Sequence, residues 1–94
     1  MNTQRISTIA KALAHPARVR ILELLAQGER CGCEFAPILS LDASVVSRHL
    51  AQLSRSGIIL SRRDRVRVMW RLAAPSTLEI LQRLEQLPFT EDAS

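Results

Sequence analysis

The sequence predicts a small, mainly α-helical domain that carries one β-hairpin. Three observations support this fold class. The 94 residues suffice for one hydrophobic core, apolar residues recur at helical spacing over most of the chain, and between residues 65 and 72 the spacing changes to two. We therefore expect a single domain over residues 1–94, without internal repeats.

Two helices are predicted at the start of the chain. The first, over residues 3–14, has one apolar face. His15-Pro16 interrupts it, because proline disfavours a helical residue before it and suits the first turn of a new helix. The second helix runs from about residue 16 to residue 26 and is apolar over most of its circumference, so we expect it to be central. Gly28 supplies its stop.

A helix-turn-helix is predicted over about residues 34–56. It combines a short third helix, a tight turn at Ser40-Leu41 and a fourth helix over residues 43–56. Asp42 is placed to cap the fourth helix by accepting backbone N–H bonds from its first turn. The residues of this helix expected to face the core are Val46, Leu50 and Leu53.

A basic hairpin, the wing, is predicted over about residues 58–72. Apolar residues alternate there with basic ones, so one face is apolar and the other basic. The apolar face is predicted to hold Val66, Val68, Trp70 and Leu72. Because the turn at Asp64-Arg65 lacks the glycine usual in two-residue loops, we expect a longer, mobile tip. With a last helix over about residues 77–87, the element order predicts a winged helix-turn-helix.

The charge of the chain is concentrated in this region. The segment from Asp42 to Arg71 contains seven arginines and two aspartates, which give it a net charge of +5. The whole chain has a net charge of +4. Arginine's planar fork suits phosphates and guanine edges, so double-stranded DNA is the expected partner. The predicted DNA-binding residues are Ser44, Val45, Ser47, Arg48 and His49 on the fourth helix and Arg62, Arg63, Arg65 and Arg67 on the wing. A winged helix used only for protein contacts is the alternative from another functional class.

Other classes of protein are disfavoured. Three glycines give no phosphate-binding loop, and no base or orienting acid is recognisably placed for a cysteine nucleophile, so an enzyme is not expected. The chain has neither a run of 18 apolar residues nor the pattern of a signal peptide. We therefore expect a cytoplasmic protein without membrane contact, in which the two cysteines are reduced.

Several motifs together resemble the ArsR/SmtB metalloregulatory repressors, over roughly residues 4–87. The resemblance implies a homodimeric winged-helix repressor, dimerising through its first and last helices and needing no cofactor, that leaves its operator when a thiophilic metal or metalloid binds. The motifs are His15-Pro16-Ala17-Arg18, Ile21-Leu22-Glu23-Leu24-Leu25, Glu29-Arg30-Cys31-Gly32-Cys33-Glu34, Val46-Ser47-Arg48-His49-Leu50, Leu53, Ser56-Gly57-Ile58-Ile59 and Trp70-Arg71-Leu72. The broad apolar faces of the first and last helices independently favour association.

The resemblance also implies that Cys31 and Cys33 bind the inducer, which would be As(III) or Sb(III). Side chains two residues apart point about 200° apart on a regular helix, so one ion needs an irregular backbone there, which Gly32 makes less costly. The family's third cysteine is replaced by Pro37. Two thiols suffice for a methylated or aryl arsenical, or for arsenite with a further ligand from elsewhere. A zinc or cadmium sensor and a thiol-redox sensor stay open as alternatives.

Overall fold

The computed structural model describes residues 1–88, so the predicted frayed tail lies, apart from Pro88, outside the described residues. Its elements follow the predicted order, with one strand added before the helix-turn-helix. They are α1 (Thr3–Leu13), α2 (Pro16–Ala26), β1 (Arg30–Cys31), a 3-10 turn (Gly32–Glu34), α3 (Phe35–Leu39), α4 (Ala43–Ser56), β2 (Ile59–Asp64), β3 (Arg67–Leu72) and α5 (Thr77–Glu85). Among these residues no helix is long and apolar enough to cross a membrane.

The break between α1 and α2 forms as the sequence predicts. Pro16 occupies the first turn of α2, where its missing N–H costs nothing. The ring nitrogen Nδ1 of His15 accepts a hydrogen bond from the backbone N–H of Ala17 at 3.0 Å and thereby caps the helix. The central position of α2 is confirmed, because the helix contacts α1, α3, α4, α5 and β3 and has three buried residues. They are Ile21, Leu22 and Leu25.

The core lies between α2, α3, α4 and the base of the sheet. The predicted inner face of α4 is confirmed, since Val46, Leu50 and Leu53 are all buried. Phe35 of α3 and Ile59 of β2 are completely enclosed beside them. Helix α4 is therefore anchored along one side, and its opposite side is left for contacts with a partner.

The ends of α4 agree with the predicted bounds, but the cap at its start differs from the prediction. Asp42 is the N-cap residue, yet its side chain accepts no hydrogen bond. Instead, its carbonyl oxygen accepts from the backbone N–H groups of Val45 and Val46, both at 3.0 Å. At the other end Gly57 has a φ of 83°, the left-handed conformation that glycine adopts without strain.

The sheet has three antiparallel strands in the order β1-β3-β2. Strand β1 was not predicted, because two residues are too short to show an alternating pattern. It pairs with the wing strand β3, with Arg30 opposite Trp70 and Cys31 opposite Met69. The cysteine segment is consequently part of the same sheet as the wing.

The wing tip is tighter than predicted. Asp64 pairs with Arg67, so the turn between β2 and β3 has only two residues, and Arg65 takes a φ of 59° to make it. A non-glycine residue can adopt this left-handed conformation at a modest cost. Val66 was expected on the inner face but lies in this turn and is 92% exposed, whereas Trp70 packs against the core as predicted. Helix α5 ends at Glu85, two residues before the predicted end.

Candidate nucleic-acid interface and cysteine site

Helix α4 presents several polar residues on the side opposite the core. Of the residues predicted to bind DNA, Ser44, Ser47 and Arg48 are exposed, and Val45 is half-buried. Small residues allow close approach to a groove, and the long arginine reaches further. The four residues are therefore accessible from solvent to different extents, and their contact with base edges stays a prediction.

His49 is a correction to the predicted set. Its side chain is only 8% exposed, and its Nδ1 accepts a hydrogen bond from Nε of Arg18 at 3.1 Å. The ring lies 4.4 Å from the ring of His15. Burial, and then the neighbouring His15 and the guanidinium of Arg18, lower the pKa of His49. His49 therefore joins α2 to α4 and does not lie on the DNA-facing surface.

The wing arginines fall into two groups. Arg63, Arg65 and Arg67 are exposed and lie at or beside the tip. Arg62 instead donates two hydrogen bonds to the carboxylate of Glu29, at 2.8 and 2.6 Å. This hydrogen bonding lowers the pKa of Glu29 and raises that of Arg62. Arg62 was predicted to bind DNA, but in this structure it joins β2 to the segment before β1.

A second basic surface adjoins the outer side of α4. A cleft of about 450 Å³ has Arg18, Arg48 and Arg55 in its wall, with Gln52 between them on α4. The predicted DNA-binding set did not include Arg18, Gln52 or Arg55. The spacing of Arg48, Gln52 and Arg55 at i, i+4 and i+7 is the signal that identifies them as one helical face.

The cysteine pair lies where the backbone changes from strand to helix. Cys31 ends β1 with an extended backbone, and Cys33 lies in the 3-10 turn that leads into α3. The N–H of Cys31 donates to Oε2 of Glu34 at 2.8 Å, and the N–H of Cys33 donates to Sγ of Cys31 at 3.2 Å. The irregular backbone that one chelated ion would need is thus present, and it directs both side chains to the same side.

The two sulfur atoms are in direct contact and form a disulfide, whereas the sequence suggested two reduced thiols. The difference has a geometric reason. The change of backbone at Gly32 leaves the Cα atoms 5.2 Å apart, a separation at which cysteines can pair. The same proximity is what a single chelated atom requires. In residues 1–88, no group of three or more His, Cys, Asp and Glu side chains is arranged to hold a metal ion.

A cleft of about 510 Å³ lies beside the cysteine pair and is largely apolar. Its wall includes Gly32 and Cys33 from the 3-10 turn, Ser47 from α4 and Trp70 from β3. The indole of Trp70 lies so close to Gly32 that a Cβ there would be 3.1 Å from its Nε1. One cleft therefore adjoins the cysteine segment, the predicted recognition helix and the wing.

Helices α1 and α5 leave apolar side chains uncovered. The exposed fraction is 49% for Ile6 on α1, and 53% and 49% for Ile80 and Leu84 on α5. A cleft of about 230 Å³ between the two helices is lined by Ile9 and Ile80, among other apolar residues. Exposed apolar side chains on two helices that share a cleft are typical of a protein–protein interface.

Comparison with known proteins shows which protein family has this arrangement. Residues 15–61 match the family model described as "Bacterial regulatory protein, arsR family". The chain is 42% identical over 72 residues to the uncharacterized HTH-type transcriptional regulator Rv0081 of Mycobacterium tuberculosis. That alignment covers 76% of this chain and 63%, less than two thirds, of the relative's length. The chain is also 31% identical to an arsenical resistance operon repressor of Staphylococcus xylosus, over 77% of this chain and 69% of that protein.

Solved structures agree with the sequence relatives. The crystal structure of Rv0081 superposes with a TM-score of 0.77 at 38% identity, over 84% of this chain and 80% of that one. The solution structure of the homodimeric winged helix-turn-helix DNA-binding domain of Mb0332 from Mycobacterium bovis superposes with a TM-score of 0.79 at 29% identity. This second match covers 87% of this chain and 76% of that one. The predicted winged helix-turn-helix fold is thereby confirmed.

Proposed function

Because the chain belongs to the bacterial arsR family of regulatory proteins, we propose that it is a cytoplasmic, homodimeric transcriptional repressor. It binds double-stranded operator DNA through α4 and the wing. The exposed Ser44, Ser47 and Arg48 contact base edges, and the exposed wing arginines contact the DNA backbone. Two copies related by a two-fold axis place their recognition helices about one helical turn of DNA apart.

The inducer is trivalent arsenic or antimony, held by the sulfur atoms of Cys31 and Cys33. The observation that carries this proposal is the contact between these two sulfurs at the edge of the wing sheet. Soft thiophilic ions choose thiolate ligands, and sulfurs this close can chelate one atom once they are reduced. The name of the Staphylococcus xylosus relative, an arsenical resistance operon repressor, favours arsenic over other soft ions.

Inducer binding releases DNA because the cysteine segment is attached to the wing and to α3, which packs against α4. Cys31 pairs with Met69 of β3, and the 3-10 turn after it leads directly into α3 of the helix-turn-helix. In the reduced protein the two thiols are not bonded to each other, and a bridging arsenic or antimony atom ties both sulfurs to one centre. This constraint changes the backbone geometry at Gly32, and with it the relative position of the wing and α4.

DNA binding is tested by selecting a preferred duplex from a random pool and measuring its affinity at several salt concentrations. Arg48→Ala and Arg65→Ala should each weaken binding, and each lost phosphate contact should reduce the salt slope by about one. Arg20→Ala, which removes an exposed arginine from α2, is the matched control. Unchanged affinity in both DNA-surface variants would show that the surface is wrongly assigned. Failure to select any duplex would favour a winged helix used for protein contacts.

The inducer is tested with the phosphine-reduced protein bound to the selected duplex. Arsenite, methylarsenite, phenylarsine oxide and antimonite should release DNA from the native protein, but not from Cys31→Ser or Cys33→Ser. Zinc and cadmium complete the panel, because release by these ions alone would identify the alternative metal sensor. Dithiol reductants are left out of this assay, since they bind arsenic themselves.

A thiol-redox repressor is the second candidate, favoured by the disulfide between Cys31 and Cys33. In this case peroxide oxidises the two thiols to the disulfide and is itself reduced to water, and the disulfide form releases DNA. Release by peroxide alone, reversed by dithiothreitol and absent from Cys33→Ser, would support this candidate. DNA binding that is equally strong in the disulfide and dithiol forms would exclude it.

A further inference from the structure

We propose that the cleft beside the cysteine pair is a binding site for the carbon substituent of an organic trivalent arsenical, and that it accepts a group as large as a phenyl ring. The inference deepens the proposed function and rests on it, because it needs arsenic at Cys31 and Cys33. The cleft measures about 510 Å³, within the usual size range of small-molecule pockets.

The lining of the cleft is suited to an apolar group. Small side chains make the space, notably Ala36 on α3 and Ala43 and Ala51 on α4. Larger apolar side chains, among them Leu50 and Trp70, close it on other sides. An arsenic substituent that leaves water for such a surface gains free energy roughly in proportion to the apolar area covered. A hydroxyl on the same arsenic atom gains nothing comparable, and its burial has a cost unless it finds a hydrogen-bond partner.

The position of the cleft relative to the sulfurs fits a ligand with two thiolate bonds. Cys33 is itself part of the cleft wall, and the sulfur of Cys31 is in direct contact with the sulfur of Cys33. Arsenic held by two sulfurs keeps one remaining bond. Pro37 stands where a third cysteine would otherwise fill that bond, so a carbon group is free to occupy it.

The arsenical binds to the two cysteines without any change in the oxidation state of arsenic. A thiol or phosphine reductant first supplies two electrons to the disulfide and gives two thiols. An arsine oxide, R–As=O, then reacts with both thiols. Two As–S bonds form, the bonds between arsenic and oxygen break, and the oxygen leaves as water with the two thiol protons.

An occupant of this cleft would touch each element that the proposed repressor uses on DNA. Ser47, predicted to contact bases, is in the wall, and Val68 and Trp70 belong to the wing strand β3. The substituent is therefore placed between α4 and the wing, and its size affects the distance between them. A phenyl arsenical should consequently act at lower concentration than a methyl arsenical.

Trp70 is the only tryptophan of the chain and lines the cleft, so its fluorescence reports on binding without any DNA. The phosphine-reduced protein is titrated with phenylarsine oxide and, separately, with methylarsenite. Ala36→Leu fills part of the cleft, and Ala51→Leu fills another part, so that one of the two can fail to fold without ending the test. Ala26→Leu adds the same volume at an exposed position on α2 and is the matched control.

Both cleft variants should weaken phenyl binding roughly tenfold more than methyl binding, since the lost room excludes several buried carbon atoms. The control should change neither, and the double variant Cys31→Ser, Cys33→Ser should abolish both signals. Both arsenicals form the same two As–S bonds, so comparing phenyl binding with methyl binding in one variant removes the contribution of the intrinsic affinity of arsenic for thiols. Equal losses for the two arsenicals, or none, would overturn the inference and leave the arsenic-responsive repressor intact. If neither arsenical binds the native protein, although the protein still binds the selected duplex, the arsenic part of the proposed function fails as well.

Discussion

At the scale of single residues, burial decides which of the basic and polar side chains can meet DNA. Arg48 and His49 are neighbours in the sequence, yet Arg48 is exposed and His49 is enclosed against Arg18. The sequence analysis predicted both residues as DNA contacts and missed this division, because one position along a helix turns a side chain by about 100°. The contact to Arg18 depends on how α2 crosses α4, which no local pattern in the sequence contains.

His49 makes the stability of the protein dependent on pH. The pKa of this histidine is lowered in the folded state by burial and by the neighbouring His15, Arg18 and Arg48. Its neutral form is therefore favoured by folding, and the unfolded chain binds more protons as pH falls. We expect the stability contribution to be complete above the unfolded pKa of about 6.5 and to be lost as pH falls from there through the folded pKa.

Thermal unfolding between pH 8 and 5 measures this effect, with about one pH unit between samples. His49→Gln retains a neutral group that can accept from Arg18 and should show a shallower loss of melting temperature over the acidic part of the range. The ring signals of His49 in an NMR titration give its pKa directly. A midpoint above that of an unfolded histidine would contradict the assignment of His49 as a buried acceptor.

At the scale of elements, the sheet joins the cysteine segment to the wing more directly than the sequence suggested. Strand β1 pairs with β3, and Glu29, which precedes β1, accepts hydrogen bonds from Arg62 of β2. The hairpin could be predicted, because its alternation runs over several residues. A two-residue strand and an ion pair across 33 positions depend on the tertiary fold, so the sequence alone did not reveal them.

Releasing Arg62 should strengthen the electrostatic part of DNA binding. Glu29→Gln removes the carboxylate that accepts hydrogen bonds from Nε and Nη2 of this guanidinium, and it deletes one negative charge near the wing. The freed arginine can then contact a phosphate, so affinity should rise and the slope of log affinity against log salt should steepen by roughly 0.9.

The measurement is a salt titration of the selected duplex with native protein and with Glu29→Gln. Glu79→Gln, which removes an exposed charge from α5, serves as the control for net charge alone. Arg62→Ala in the Glu29→Gln background should return the slope to the native value. An unchanged slope in the single variant would mean that Arg62 already leaves Glu29 when the native protein binds DNA.

The two-residue wing turn separates the conformational role of Arg65 from its charge. Its φ of 59° is more costly for arginine than for glycine, by about 1 kcal/mol. Arg65→Gly should therefore raise stability, whereas Arg65→Ala should leave it nearly unchanged, since both Arg and Ala carry a Cβ. Both variants should lose DNA affinity to a similar degree, because both lose the charge. Chemical denaturation and DNA titration of the two variants test this, and a drop in stability with glycine would contradict the strained turn.

At the scale of the whole molecule, the order and type of the elements could be predicted well. The helical periods of α2 and α4, the proline after His15 and the glycine at position 57 fix most of the boundaries. The outcome at the cysteine pair depended on the exact backbone around Gly32, where strand, 3-10 turn and helix meet within a few residues. Such transitions have no periodicity, so the sequence indicated that chelation would need an irregular backbone there but did not predict the sulfur contact.

Association of two chains is the property of the whole molecule that the proposed function needs most. Ile80 and Leu84 on α5, with Ile6 on α1, leave a band of apolar surface that one chain does not cover. In the proposed homodimer, a second copy related by two-fold symmetry would bury the same band on both chains. A charge placed in its centre must be desolvated on association, which strongly favours separation of the chains. Ile80→Glu should therefore give a monomer, whereas Leu60→Glu, at a 41% exposed position on β2, should not.

Sedimentation equilibrium of native protein and the two variants measures the association. A monomeric Ile80→Glu protein that retains the native circular dichroism spectrum should bind a single half-site weakly. It should also lose the added affinity of a duplex with two half-sites about one helical turn apart, because that gain requires both recognition helices on one rigid body. A dimer that persists in Ile80→Glu would place the interface elsewhere on the molecule. Undiminished binding of the Ile80→Glu monomer to the two-site duplex would mean that each chain reads its half-site independently.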